Sequence, residues 1–369
     1  MGFYYVANPI DLNRINTPLD LSSKIKQYGE NNLYPQIVNS MLQRSPLTKS
    51  AVKILSDFYT GGGFTSQGEI IVNRFNQSLN DVLGHLAKDL AKYRGFACHL
   101  NFNPSGQVVE MQPIPFEYCR LGLPNKSTGL SNRVVVSNNW EKSTYDLLDD
   151  SSSELKSYPL YDPQAPVINN RGAIYYYSDA GVSKYPLCSF DPILDNCQAD
   201  AEIQLFEVNN LTNGFHSGTI FKFFGHFESD RQKEDFLSKV DSMLGAKGGS
   251  STMVVEMDEA LTDANLVEPI PANNNDTLFT QTTINIRNRV LQYFNIPAGL
   301  MGIAPEGAVF TVTELPGSYT YMNLRTANDR KILERFFNMF VAAGPIIVNS
   351  FEDSLTTEQA EATEPAPEV

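Results

Sequence analysis

The chain has 369 residues, enough for two or three compact units, and its 42% hydrophobic and 19% charged content belongs to a folded protein rather than a disordered one. Acids outnumber bases 42 to 28, a formal net charge of -14, which argues against tight, general binding of nucleic acid, because neutralising phosphates requires an excess of Lys and Arg. No window approaches the ~20 apolar residues of a membrane span, and the first five residues lack the basic start and apolar core of a signal peptide, so synthesis in the cytoplasm with no membrane partner is expected.

Residues 1–45 are polar and turn-prone, with "YGENNLYPQIV" read as extended. Residues 46–60 read as a helix: Pro46 suits its first turn, Leu47, Val52, Leu55 and Phe58 fall near one face, and Gly61-Gly62-Gly63 ends it. These glycines follow a helix instead of leading into one from a strand, so they do not make a phosphate-cradling loop. Helical spacing resumes from Ile70 to Arg94 through Phe75, Leu79, Leu83, Leu86 and Leu90. After Gly95 the rhythm alternates around Asn103-Pro104-Ser105-Gly106, a hairpin signal, and strand-like runs follow at 133–136 and 173–177. Between them, residues 141–172 are polar and have no clear period.

A helix restarts over 199–215, with Ile203, Phe206 and Leu211 expected to be buried. A compact unit follows: the "TIFKFF" strand, a helix from Ser229 to Leu244 capped at Ser229-Asp230, a glycine turn and the "STMVVEM" strand. Residues 273–294 form another helix, with Phe279, Thr283, Ile286, Val290 and Tyr293 spaced as a heptad seam and Arg287 and Arg289 lying off it. It stops at Asn295-Ile296-Pro297, and a glycine-rich apolar loop leads to a last helix over about 313–342 that carries Tyr321, Leu324, Ile332, Phe336, Phe337 and Phe340. From Phe351 onward the chain is acidic and poor in apolar residues, a composition that does not order itself.

The residues offer little chemistry. Cys98, Cys119, Cys188 and Cys197 have no CxxC pairing and read as reduced and buried. His85, His99, His216 and His226 have no metal-ligand spacing, and Cys98 and His99, as strand neighbours, point to opposite faces. Glu110 and Glu117 could supply paired carboxylates, but whether they meet is not a matter of spacing, and Asp191, Asp195 and Asp200 could hold calcium but lack the regular alternation and central glycine of a calcium loop. No catalytic, metal or cofactor motif emerges, and no enzyme is expected. Long helices with near-heptad seams and no obvious partner pack either on copies of themselves or on the chain's own first half.

Three segments carry a family likeness: "YGENNLYPQIVNSMLQRSPLTKSAVKILSDFYTGGGF", "NNDTLFTQTTINIRNRVLQYFNIPAGLMGI" and the helix after it. With Asn32-Leu33-Tyr34-Pro35 ahead of a Ser-Pro helix start, and Phe294-Asn295-Ile296-Pro297 running to Leu300-Met301-Gly302, the chain resembles the portal proteins of tailed double-stranded DNA phages, particularly the shorter portals of phages of Bacteroidetes-type hosts. The middle, 120–200, carries little of this signal, and no long helical crown follows at the C-terminus.

The resemblance implies an α+β portal fold with a reduced or absent crown. Its parts map onto a wing over 1–198, stem helices over 199–215 and 273–296, an α/β clip over 216–272, a tunnel loop over 297–312, a closing helix over 313–345 and an acidic, disordered tail over 346–369. It further implies a ring, usually of twelve subunits, at one capsid vertex of the virion. Its partners would be the major capsid protein, the terminase large subunit, a head-tail connector and the duplex DNA passing through.

In this frame Pro297 ends the channel wall, Gly299, Gly302 and Gly307 with Pro305 shape the tunnel loop, and Leu300, Met301 and Ile303 are its contact surface. Phe279, Ile286, Val290 and Tyr293 belong to the stem and its subunit contacts; Arg287 and Arg289 either touch DNA weakly or pair with acids of the next subunit. The alternatives are an ordinary helix-loop-helix corner for the loop, and another ring-forming connector or a cytosolic hydrolase for the whole.

Overall fold

The structure, a computed structural model, describes residues 25–29, 31–65, 67–140, 156–164, 172–213, 219–224, 252–257, 267–269, 276–303, 315–341 and 345–351, with isolated positions between 229 and 238. The chain divides into two units, Met1–Cys197 with Val290–Val369, and Gln198–Arg289.

The first unit opens on two helices, α1 (Tyr34–Arg44) and α2 (Pro46–Thr60). The run expected to be extended is helical from Tyr34, because Pro35 sits in the first turn, where its missing N–H has no partner to lose. Ser45 caps α2, its hydroxyl accepting from the Thr48 N–H, and Gly61 stops it at φ 54°.

Helix α3 (Leu79–Tyr93) is shorter than its apolar spacing predicts. A capping box starts it: Ser78 Oγ accepts from the Asp81 N–H, and the Asp81 carboxylate accepts from the Ser78 N–H. Residues ahead of it form a loop with an isolated bridge from Ile71 to Ser78, and Phe75, expected inside, is 60% exposed.

Helix α3 runs straight into β1 (Gly95–Phe102), which turns at Asn103 into β2 (Val108–Ile114), as the hairpin signal predicts. Strand β3 (Cys119–Leu121) and β4 (Arg133–Val136) pair antiparallel, and β4 pairs with β5 (Lys156–Pro159). Strand β5 lies in the stretch without period; it is a four-residue edge strand that buries no residue, so nothing imposes alternation on it. Strand β6 (Ala173–Ser178) returns to β1, giving antiparallel sheets of order β2-β1-β6 and β3-β4-β5.

Helix α6 (Leu315–Phe340), which follows α4 and α5 of the paragraphs below, covers one face of the first sheet, where Phe336 meets Phe96 and Tyr175 at 5.5 and 4.9 Å between ring centroids. On the other face Phe116 stacks on Tyr176 at 5.0 Å. The buried side of α6 runs through Met322, Thr326, Arg330, Leu333, Phe336 and Phe337. On the opposite side of the helix, Tyr321 and Leu324 are 49% and 74% exposed.

The expected tail boundary also moves. Residues 345–351 are packed, with Ile346 and Val348 buried and Asn349 exchanging backbone hydrogen bonds with Gly62 and Gly63. Gly61 permits this approach, since a Cβ there would lie 2.0 Å from the Asn349 carbonyl oxygen. Phe351 packs on Phe58, and the acidic residues 352–369 lie outside the described residues.

Helix α4 (Leu194–Asn213) begins five residues before its predicted start and passes into the second unit. Phe206, expected to be buried, is 43% exposed, and Ile203 is half-buried. In the second unit β7 (Thr219–Phe224) pairs in parallel with β8 (Thr252–Met257) and antiparallel with β9 (Val267–Pro269). The parallel pair requires a long crossover between its strands. The predicted helix there lies largely outside the described residues, but Ser229 accepts from the Gln232 N–H, as a cap should. Helix α5 (Asp276–Phe294) leads back to the first unit at Val290. No described helix is long and apolar enough to cross a membrane.

Candidate functional site

The predicted break after α5 is built by backbone geometry. Asn295 takes φ 48° and donates its N–H to Gln292, while the Ile296 N–H reaches back to Leu291, closing the helix. Pro297, at φ -57°, then opens a 3₁₀ turn over Ala298–Met301, closed by Gly302 at φ 70°. Its hydrogen bonds run from Leu300 N to Pro297 O, Gly302 N to Gly299 O and Ile303 N to Ala298 O.

Phe294 and Ile296 are buried, but no residue of the 3₁₀ turn is, and Leu300, Met301 and Ile303 stay half-buried where the turn rests against α2 and α6. This is neither a free loop nor a core corner over residues 297–303. Pro305 and Gly307 lie outside the described residues.

The predicted seam on α5 is partly realised. Ile286 and Val290 are buried, Thr283 is exposed, and Tyr293 is half-buried with its hydroxyl donating to the Ser189 carbonyl at 2.8 Å. The Phe279 side chain lies outside the described ones. Arg289 is exposed; Arg287 is half-buried, and its Nε is buried without a hydrogen-bond partner.

Beside the turn, within the first unit, a cleft of about 640 Å³ is lined by Tyr59, Arg94, Asp179, Tyr293, Arg325 and Asp329 among others. Arg94 is its hub. It caps α3 in the left-handed conformation at φ 57°, a position where glycine would be less strained. Its guanidinium forks onto Asp179 at 3.1 and 2.9 Å and onto Asp329 of α6 at 2.9 Å, and it donates to the Tyr59 hydroxyl at 3.4 Å. The strain is offset by a tie between α3, β6 and α6, and nothing in the sequence around Arg94 marked it.

The Asn-Leu-Tyr-Pro motif proves to be an anchor. Asn32, at φ 63°, accepts from the Tyr28 N–H and from Nε of Arg120 through its side chain, and Tyr34 donates to Asp191 at 2.6 Å while accepting from the Cys188 N–H. Arg120 is fully buried with no carboxylate partner among the described residues; its five donors go to Asn32 Oδ1 and O, Gln36 Oε1, and the carbonyls of Glu117 and Cys119. Its guanidinium lies 4.9 Å from the Trp140 ring and 5.5 Å from the Tyr28 ring. A lone arginine between Cys119 and Leu121 in an otherwise apolar strand was the available signal.

The acids weighed for catalysis are occupied structurally. Glu110 takes both arms of Arg74 and the Asn101 amide, and Arg74 holds its carboxyl down at about 2. Glu117 accepts from Tyr93 and Asn39, Asp191 from Tyr34, and Asp200 from Gln204, while Asp195 sits in the first turn of α4. The four cysteines are buried free thiols, and among the described residues no cluster of His, Cys, Asp and Glu gathers as a metal site. Burial pushes the Asp89 carboxyl up to about 7, against the pull of the Phe116 N–H that it accepts.

No protein-family model and no curated protein matches the sequence. Solved structures do. The chain is similar to a chain of the virion of the native gene transfer agent particle, at TM-score 0.53 and 10% identity over 89% of this chain and 90% of that one. It is similar to the neck of the empty gene transfer agent particle, at TM-score 0.51 and 10% identity over 88% and 87%. An HK97-family phage portal protein from Corynebacterium diphtheriae matches at TM-score 0.51 and 10% identity over 89% of this chain and 98% of that one. Along most of its length, the chain therefore has the fold of an HK97-family phage portal protein.

Proposed function

We propose that this chain is the repeating subunit of a portal: a ring, of twelve copies, at one capsid vertex of a phage virion, through which duplex DNA is packaged and ejected. The observation that carries the reading is the shared fold, which spans nearly the whole of a known portal chain as well as most of this one. Under it the first unit supplies the wing and contacts the major capsid protein, α4 and α5 form the stem, and the β7-β8-β9 unit is the clip that docks the terminase large subunit and the head-tail connector. Residues 297–312 are the tunnel loop and α6 is the closing helix.

Two features of the chain fit this role. The exposed side chains of α5 are largely uncharged, among them Thr280, Gln281, Asn285, Asn288 and Gln292, with Arg289 the charged one among those described. A conduit built from such side chains in an acidic protein lets a polyanion slide without gripping its phosphates. The role needs no catalytic group; the acids considered for hydrolysis are held by Arg74, Tyr93 and Tyr34.

Electron microscopy of the purified chain tests the proposal. End-on rings with a central hole are expected; a monodisperse monomer at micromolar concentration would overturn it.

A further inference from the structure

A second cavity, of about 390 Å³, opens in the first unit and shares no lining residue with the Arg94 cleft. Helix α3 contributes His85, Lys88 and Asp89, which lie one turn apart on a single face; β2 contributes Gln112, and the loop ahead of α3 contributes Phe75 and Gln77. The portal reading assigns this cavity no part.

The loop holds its aromatic ring outward. Phe75 is 60% exposed, yet Asn73 beside it is buried and accepts from the Phe75 and Gln77 N–H groups while donating to the Met111 carbonyl and to Gln77 Oε1. Arg74 grips both oxygens of Glu110 on β2. The ring is therefore preorganised at the edge of the cavity instead of folding onto the core.

The anionic group is Asp89. Its Oδ2 accepts from the Phe116 N–H at 3.0 Å, the carboxyl's one hydrogen bond among the described residues. Lys88 is its neighbour along the helix, where successive side chains diverge, and Lys92 donates to Asn39, so neither forms an ion pair with it. Glu117, held by Tyr93 and Asn39, adds a like charge nearby. Burial, the largest influence, leaves the carboxyl at about 7. The Gln112 side-chain amide makes no hydrogen bond among the described residues, and His85, held below its ordinary value by burial and by Lys88, meets Gln77 Nε2 at 3.4 Å. Acceptors short of donors thus share a cavity with a fixed aromatic ring.

We propose that this cavity receives the guanidinium of an arginine side chain from a partner protein, which donates to the Asp89 carboxylate and the Gln112 carbonyl oxygen and stacks on Phe75. A guanidinium suits these groups better than an ammonium, because it is planar, weakly hydrated, and able to lie on an aromatic face while its fork serves several acceptors. Phe75, His85, Lys88 and Pro115 are exposed, so the cavity is open to solvent and the backbone carrying the arginine stays outside. Lys88 opposes the incoming charge only weakly, since water screens it. The inference does not depend on ring formation.

Saturation-transfer NMR of the full chain with Nα-acetylarginine methylamide tests it. A dissociation constant on the order of a millimolar is expected at pH 8, ordinary for so small a probe. Binding should weaken about tenfold at pH 6, because the cation needs Asp89 ionised and must displace its proton. Charging of His85 acts in the same direction, so H85Q should leave most of the pH dependence in place. The capped citrulline analogue, neutral and of the same shape, should bind at least tenfold more weakly, and the capped lysine several-fold more weakly. F75A alters only an exposed side chain and should weaken binding about threefold; D89N should weaken it about tenfold and flatten the pH profile, with circular dichroism showing both variants folded. Equal binding of the citrulline analogue, a flat pH profile, or unchanged affinity in D89N would overturn the proposal. Free arginine binding more tightly than the capped form would make the ligand a small molecule and overturn the assignment to a partner's side chain.

Discussion

Replacing Arg120 with Met probes the anchor beneath the Asn-Leu-Tyr-Pro motif. The side chain is fully buried and satisfies five acceptors, so the variant removes five charge-assisted hydrogen bonds, each contributing roughly 1.5 kcal/mol net. Against that loss of about 7 kcal/mol stands relief of the desolvation of a buried charge, several kcal/mol, so a net destabilisation on the order of 4 kcal/mol is expected. The carbonyls of Asn32 and Cys119 are the hardest to rescue, since both bonds are buried, whereas Gln36 and Glu117 lie where water can replace the guanidinium. Urea denaturation followed by circular dichroism should show the midpoint of the first unit falling with little change in slope. Arg120→Lys, with three donors instead of five, should fall between the two. A loss of less than about 1 kcal/mol with Met at this position would refute the anchor, because the five bonds would then contribute nothing beyond what the buried charge costs.

Two further outcomes follow from single groups. The Asp89 carboxyl is raised to about 7 from an unfolded value near 4, so the folded state binds the extra proton between those limits. Its contribution is intact below about pH 4 and is lost as pH rises through about 7; because the residue lines a cavity and is only partly covered, the change is on the order of 2 kcal/mol. D89N, which can still accept from the Phe116 N–H, should flatten the fall in melting temperature between pH 4 and 7, and an unchanged pH slope would refute the assignment. At the loop, Gly302 holds φ 70° with nothing within 4 Å of an added Cβ, so G302A meets backbone strain alone and should cost about 1 kcal/mol in denaturant unfolding. A loss above about 3 kcal/mol would mean that the position is packed against something the open geometry does not contain.

Local signals in the sequence determine structure where one short motif decides the outcome. Ser45-Pro46 and Gly61 bound α2, and the Asn103 turn sets the hairpin, because caps and turns act through neighbours a few residues away. A cap overrides apolar spacing: Phe75 falls in register with α3, yet the Ser78–Asp81 box starts the helix after it and leaves Phe75 exposed. The anchor and the hub were not legible at all. Arg120 meets Asn32 across 88 positions, and Arg94 meets Asp329 across 235, distances over which residue spacing carries no information.

The harder ambiguity concerns what a seam is for. Tyr321 and Leu324 fall in the same helical pattern as Phe336 and Phe337 yet are exposed where those are buried, because apolar spacing marks a helix and not what covers each of its faces. On α6 the two answers sit on opposite sides of one helix. Aromatic residues fill the side that the sheet covers, and Leu324 lies in line with Lys331 and Arg335 on the side left open. A cation within an apolar stripe is what separates them, since a base is expensive to bury against a neutral sheet but is readily placed against an acidic partner. Arg330 shows the exception on the buried side: it is tolerated there because the Phe58 and Asn323 carbonyls and the Thr326 hydroxyl accept its protons. Charge pattern along a helix, read together with periodicity, therefore helps separate a face closed by the chain's own core from one left open to solvent.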